Sequence, residues 1–119
     1  MSPRVINLEP GLPTLDEARR RLLEEMKKAR QQGVRVLKVI HGYGSSTGCG
    51  VLCAGIRKSL RLRLREGLAL TVIPGERFSS DANETRGLLQ RHPGLRGDRD
   101  FNRANPGITL VELPPNPKP

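Results

Sequence analysis

The chain is organised around the stretch Val36-Leu37-Lys38-Val39-Ile40-His41-Gly42-Tyr43-Gly44-Ser45-Ser46-Thr47-Gly48-Cys49-Gly50. It joins an apolar run to a histidine and then to a loop rich in glycine and hydroxyl groups. The apolar run is bulky and bounded by glycines, which predicts a strand buried on both faces. Glycine permits positive φ and lets the backbone approach a ligand closely. If a helix begins after Gly50, its N-terminal N–H groups and those of the loop would together favour an anion. The stretch therefore predicts a strand followed directly by an anion-binding loop.

The residues before this stretch show a strand pattern followed by a helix pattern. Residues 4–9 predict a short strand, because Val5, Ile6 and Leu8 are apolar and Pro10-Gly11 follows. Thr14-Leu15-Asp16-Glu17 matches a capping box and opens an amphipathic helix that continues to about Gln32. A second strand is predicted over residues 34–40. A strand, a helix and a strand joined by short loops predict a right-handed crossover with parallel strands.

The residues after the glycine loop continue the alternation less regularly. A second helix is predicted over about 50–65, and a third strand over 68–73 closes at a Pro-Gly pair. A short helix is predicted over 84–90. Residues 91–106 are predicted to form a polar loop because they show no apolar period. A final strand is predicted over 108–113.

These elements predict a fold of the α/β class. The order βαβαβ(α)β indicates a two-layer α/β sandwich with a mixed sheet. At 119 residues the chain fits one domain, which we expect to occupy residues 1–113. The proline-rich residues 114–119 cannot carry a helix or a strand ladder and are expected to form a disordered tail.

The charge balance favours a polyanionic partner such as DNA or RNA. The chain has 21 Lys and Arg against 12 Asp and Glu, a formal net charge of +9 and a pI near 10.8. Arg57, Arg61 and Arg65 are spaced four apart on one face of the second predicted helix, and Lys58 flanks them. A charge run of this kind is often only a solvated helix face. Its coincidence with the glycine loop and the net charge favours contact with a phosphate backbone.

Three residue types in or beside the loop each allow two interpretations. His41 could bind phosphate as a cation or move protons, or it could bond the backbone within the turn. Tyr43 could stack on a base or pack in the fold. Cys49 and Cys53 are four apart, a spacing that suits two small buried positions on a helix better than a disulfide or a zinc site.

Several other classes of function are not expected. The loop lacks the lysine of a P-loop, and its glycine pattern is one residue too long for a dinucleotide site, so no nucleotide cofactor is predicted. No metal site is predicted either, because there is no third cysteine and His92 is far along the chain. No apolar run of about 18 residues and no signal-peptide core occurs, so we expect no membrane partner and a cytoplasmic location.

The segment Val39-Ile40-His41-Gly42-Tyr43-Gly44, followed by further glycines and a basic helix, resembles the small MutS-related (Smr) domain. The signature of that family is an apolar strand that ends in His-Gly-x-Gly. Glu17-Ala18 and the run from Pro106 to Val111 fit the same pattern, so the resemblance covers about residues 4–113. It implies a compact α/β sandwich that binds DNA or RNA, and several members of the family are endonucleases. It would place nucleic acid at His41, Gly42 and Gly44.

The first strand departs from the form found in family members that cleave nucleic acid. Those members usually carry Leu-Asp-x-His, whereas this chain has Ile6-Asn7-Leu8-Glu9. Asn7 cannot act as a base, which leaves Glu9 and His41 as the candidate catalytic residues of a possible endonuclease.

Three hypotheses of function follow from these observations. The first is a nucleic-acid-binding domain that contacts phosphates, the second is an endonuclease, and the third is an interaction module for ribosomes or repair proteins that has lost the chemistry. The predicted nucleic-acid-binding residues are His41, Gly42, Tyr43, Gly44, Ser45, Ser46, Arg57, Lys58, Arg61 and Arg65.

Overall fold

The computed structural model describes residues 3–43 and 49–116. These residues form four strands, three α-helices and two short 3₁₀ helices. The strands are β1 (Arg4–Asn7), β2 (Val36–Ile40), β3 (Thr71–Pro74) and β4 (Ile108–Glu112). The α-helices are α1 (Leu15–Gln31), α2 (Val51–Arg65) and α3 (Asn83–Arg91), and the 3₁₀ helices are Gly75–Arg77 and Pro93–Gly97.

The strands form one mixed sheet in the order β1-β2-β4-β3. β1 and β2 are parallel, as the predicted crossover requires, and β4 runs antiparallel to both of its neighbours. The last residue of β2, Ile40, is paired with Ile108, the first residue of β4. The prediction of the α/β class with a mixed sheet is confirmed. The pairing brings the segment before β4 beside the loop that follows β2.

α1 begins at the predicted capping box. Thr14 Oγ1 accepts a hydrogen bond from the Glu17 backbone N–H at 3.2 Å, and Glu17 Oε1 accepts one from the Thr14 N–H at 2.8 Å. The helix buries one apolar stripe against the sheet and exposes its charged residues. The stripe consists of Ala18, Leu22, Met26 and Ala29.

No helix in the described ranges is long and apolar enough to cross a bilayer.

The two faces of the sheet are covered by different parts of the chain. α1 and α2 pack on the face that carries Leu37, Val39 and Val111. The opposite face is covered by α3 and the residues on either side of it in sequence, among which Phe78 and Leu95 are fully or almost fully buried. Alternation of side chains along each strand separates these two apolar cores.

Several element boundaries differ from those predicted. β3 begins at Thr71 rather than at residue 68, and the side chains of Leu68 and Leu70 remain 44% and 49% exposed. The predicted polar loop over 91–106 contains a 3₁₀ helix that inserts Leu95 into the second core.

The first residues of the predicted proline-rich tail are hydrogen-bonded to the rest of the domain. Pro114 is buried, the Pro115 carbonyl accepts hydrogen bonds from the Arg30 guanidinium at 3.4 Å, and Asn116 donates to the Gln31 carbonyl at 3.0 Å. Residues 114–116 therefore contact the end of α1. Residues 117–119 lie outside the described residues.

Candidate nucleic-acid interface

His41, the first residue after β2, is buried and links β2 to β4 through its side chain. Only 2% of the residue is exposed. Its Nδ1 lies 2.7 Å from the Gly42 carbonyl oxygen, and because a carbonyl only accepts, Nδ1 carries the proton. Nε2 then accepts from the Thr109 hydroxyl at 2.9 Å. Burial, assisted by the nearby Arg57 charge, lowers the pKa of His41, so the ring is neutral at pH 7 and is not presented to a ligand as a cation.

Arg57, the first arginine of the predicted row, is engaged inside the protein. Its guanidinium binds both oxygens of Glu76, at 2.6 and 3.1 Å, and its Nε donates to Thr109 Oγ1 at 3.3 Å. It also donates to the carbonyls of Pro106 and Ile108 at 3.1 and 3.2 Å. Burial alone would raise the pKa of Glu76, but the hydrogen bonds and charge of Arg57 lower it. Arg57 therefore ties α2 to the beginning of β4.

Two of the loop amides that were expected to converge on an anion are already bonded. The N–H groups of His41 and Gly42 both donate to the Gly107 carbonyl, at 3.1 and 3.0 Å. They extend the pairing of β2 with β4 beyond the strands and are not available to a ligand. The Gly50 N–H closes the base of the loop on the Tyr43 carbonyl at 2.7 Å. The predicted binding residues Gly44, Ser45 and Ser46 lie outside the described residues.

The N-terminus of α2 lies directly after this loop. Gly50 is the N-cap and supplies no side-chain hydrogen bond, and the first turn contains no acidic residue. The N–H groups of that turn have no partner within the helix, as in any α-helix, so this end carries partial positive charge. The backbone carbonyl of half-buried Tyr43 accepts the hydrogen bond from the N-cap N–H, which brings Tyr43 close to this end of the helix.

Cys49 and Cys53 form a disulfide, with their Cα atoms 5.5 Å apart. The prediction that both cysteines occupy small buried positions on a helix is wrong. Cys49 precedes the helix and is exposed, whereas Cys53 lies in the first turn of α2 and is buried. The spacing of four residues crosses the helix N-cap, and this geometry brings the two sulfur atoms together.

The other basic residues predicted on α2 are exposed. Lys58, Arg61 and Arg65 all lie on the solvent side of the helix. Lys58 and Arg65 also line a groove between α1 and α2, which we name the basic groove. Its remaining lining residues are Arg19, Leu23, Ser59, Leu62 and Arg63. Sequence reasoning missed the contribution of Arg19, because the packing of α1 beside α2 is not visible in either helix alone.

Glu9 does not share a cleft with the His41 ring. Val5 and Glu9 line a concavity on the face of the sheet that carries α3, together with Lys38, Ile40 and Gly42. A methyl group added to Gly42 would overlap the Glu9 carboxylate, so this side chain lies directly against the glycine. The His41 ring points to the other face, toward Thr109 and α2.

The same concavity contains an ion cluster that sequence reasoning missed. Lys38, in the middle of β2, is buried and pairs with Asp98 at 2.6 Å and Asp100 at 2.7 Å. Asn105 donates to the second oxygen of Asp100 at 3.0 Å. The feature of the sequence that could have indicated this cluster is the presence of a lysine, Lys38, within an otherwise apolar strand. Across residues 3–43 and 49–116, no three His, Cys, Asp or Glu side chains form a group that could hold a metal ion.

Comparison with known proteins gives a consistent family and fold. The model of the Smr domain family matches residues 11–73, just over half of the chain. The crystal structure of the Smr domain of Thermus thermophilus MutS2 is similar, with a TM-score of 0.58 and 20% sequence identity over 94% of this chain and 99% of that one. The comparison with curated protein sequences finds no match.

Proposed function

Because the chain belongs to the Smr domain family, we propose that it is a nucleic-acid-binding domain that contacts the phosphate backbone of DNA or RNA. The observation that carries this proposal is the row of exposed cations on α2, namely Lys58, Arg61 and Arg65. Phosphate contacts of this kind supply most of the sequence-independent affinity of nucleic-acid-binding proteins.

The arrangement of α1 and α2 supports a contact surface wider than one helix. Arg19 of α1 lines the same basic groove as Lys58 and Arg65, so cations from two helices border one depression. At the other end of α2, the acid-free first turn would favour a further phosphate, with Tyr43 beside it to stack on a base or sugar. The net charge of +9 would steer a polyanion toward the domain.

Arg57 and His41 have a supporting role in this proposal. Arg57 fixes α2 against β4 through Glu76 and Thr109, and His41 joins β2 to the same threonine. They hold the helix in the position from which its outer cations reach a phosphate backbone. They are therefore positioning residues, and Gly42 provides the turn between the strand and the loop.

Cleavage is not part of the proposal. An endonuclease that used Glu9 and His41 would need both side chains at one phosphate. Glu9 lines the concavity on the α3 face, whereas both ring nitrogens of buried His41 are hydrogen-bonded within the protein. We retain cytoplasmic localisation as part of the proposal, since nucleic acid is accessible there.

Binding is tested by fluorescence anisotropy with labelled 30-nucleotide single- and double-stranded DNA and RNA. The test variant is Lys58→Gln/Arg61→Gln/Arg65→Gln. We expect it to raise the Kd by at least about tenfold, because three phosphate contacts are lost. The matched control is Arg96→Gln/Arg99→Gln/Arg103→Gln, which removes the same charge from exposed residues of the segment that covers the opposite face.

The control separates local contact from net charge. Equal weakening by the two triple variants, or no binding of any of the four probes, would overturn the proposal. A partner protein recovered after nuclease treatment, together with no binding of the probes, would favour the interaction-module hypothesis.

A further inference from the structure

A second cavity lies between α1 and α2, at the end of the helix pair farther from the glycine loop. Its volume is about 300 Å³, and we name it the apolar pocket. Its apolar lining comes from Leu23 and Met26 of α1, Leu68 after α2, and Leu113 after β4. It adjoins the basic groove, with which it shares Leu23 and Arg63, and it shares no lining residue with the concavity that contains Glu9.

The apolar pocket combines a rigid floor with an accessible mouth. Met26 and Leu113 are 6% and 1% exposed and belong to the first core, so their positions are fixed by the fold. Leu68 is 44% exposed, which leaves a large apolar side chain partly in water at the same cavity. An apolar ligand would remove this surface from water without a rearrangement of the core.

Three cations surround the apolar floor. Lys27, Arg30 and Arg63 line the pocket, and no acidic residue does so. Arg63 Nε is ion-paired with Glu66 Oε1 at 3.2 Å, and Glu66 lies outside the lining. The lining itself therefore carries positive charge and no negative charge, which favours an anionic group in the pocket.

We propose that the apolar pocket binds a small amphipathic anion, with an apolar body and a single carboxylate, sulfonate or phosphate group. The body would lie on the leucine and methionine side chains, and the head would lie among Lys27, Arg30 and Arg63. A neutral apolar molecule would gain nothing from these positive charges. A cationic amphiphile would be repelled by them. The volume lies at the small end of the range of ligand sites, which suits a fused aromatic or a short acyl chain.

The test uses 8-anilinonaphthalene-1-sulfonate as a fluorescent probe on the full chain. We expect saturable binding with one site, displacement by decanoate, and at least about tenfold weaker displacement by decanol or decylamine. Methyl resonances of Leu23, Met26, Leu68 and Leu113 should shift in the wild-type spectrum during titration with decanoate. Equal displacement by the amine, or methyl shifts elsewhere and none at these residues, would overturn the proposal.

Matched variants locate the site. Leu68→Asp should raise the Kd of the probe at least about tenfold, whereas Leu70→Asp, at a similarly exposed leucine outside the pocket, should change it by less than about twofold. Arg63→Gln should weaken decanoate binding more than Arg61→Gln, which removes an exposed charge from the same helix. Unchanged binding by Leu68→Asp or equal effects of the two arginine variants would contradict the assignment. The wild-type methyl shifts decide the question if Leu68→Asp does not fold.

Discussion

Thr109 Oγ1 lies 2.9 Å from His41 Nε2 and joins the two central strands of the sheet through their side chains. The same hydroxyl oxygen accepts from Arg57 Nε at 3.3 Å, so a single buried threonine connects β2, β4 and α2. The histidine of the family signature is therefore part of the framework on which the proposed binding helix rests.

The variant Thr109→Val should lower the free energy of unfolding by about 1–3 kcal/mol, because it leaves the buried His41 acceptor without a donor. Thr109→Ser keeps the hydroxyl, removes one buried methyl group and should cost less, about 1 kcal/mol. Urea denaturation followed by far-UV circular dichroism measures both. A valine variant at least as stable as the serine variant would contradict the hydrogen-bonded role of Thr109.

Glu112 should make the domain sensitive to acid. Burial disfavours its ionised form, but hydrogen bonds from Arg91, Thr71 and His92 outweigh this and lower the pKa of Glu112 to about 2. A lowered folded-state pKa stabilises the protein above the unfolded value of 4.5, and this contribution is lost as the pH falls from about 4.5 toward 2. We expect a loss of about 3 kcal/mol over this range.

The matched variants for this prediction are Glu112→Gln and Glu24→Gln. Glu112→Gln removes the ionisable group, so the stability of this variant should depend less on pH between 4.5 and 2, although it should be less stable than wild type at pH 7. Glu24 is exposed, and its replacement should leave the profile unchanged. Denaturant midpoints measured across pH test this. Parallel profiles for wild type and Glu112→Gln would contradict the prediction.

Gly42 should tolerate alanine less well than Gly33 does. Both glycines have positive φ, +70° and +78°, so a side chain costs about 1–2 kcal/mol at either position. At Gly42 the new methyl group would also displace the exposed Glu9 carboxylate, which adds a small cost, whereas at Gly33 it would meet nothing. The difference in stability between the two alanine variants measures this contact. It should shrink in a Glu9→Ala background, and a difference independent of Glu9 would contradict the placement of that side chain.

Reduction of the Cys49–Cys53 disulfide should destabilise the beginning of α2. The bridge closes a loop of only a few residues, for which chain entropy predicts about 2 kcal/mol of stabilisation. Thermal unfolding with and without dithiothreitol measures the effect. Cys49→Ser/Cys53→Ser should match the reduced protein and show no response to dithiothreitol. An unchanged Tm on reduction, confirmed by free-thiol titration, would contradict the prediction.

The elements with strong local signals were predictable from the sequence. The capping box at Thr14 and the apolar stripe of α1 determine that helix, and the run before His41 determines β2. Short loops then require the parallel crossover. The second core was not predictable in this way, because Leu95 and Phe101 are single apolar residues without a period, and only the folded chain brings them to Phe78.

The candidate site was predictable in its location but not in the use of its residues. The spacing of Arg57, Arg61 and Arg65 places them on one helix face. The sequence does not show, however, that Arg57 forms an ion pair with Glu76. The amides of His41 and Gly42 were expected to face a ligand, but their partner is the Gly107 carbonyl, on a segment more than sixty residues away. Long-range partners of this kind leave no periodic signal.

The salt dependence of nucleic-acid binding tests the central claim most directly. For wild type, the logarithm of the association constant should fall linearly with the logarithm of the salt concentration, in proportion to the number of phosphates contacted. If Lys58, Arg61 and Arg65 each contact a phosphate, their replacement by glutamine should reduce that slope by about 2 to 3, whereas the Arg96, Arg99 and Arg103 control should leave it unchanged. A wild-type affinity insensitive to salt, or the same slope for wild type and the α2 triple variant, would contradict the claim that α2 contacts the phosphate backbone.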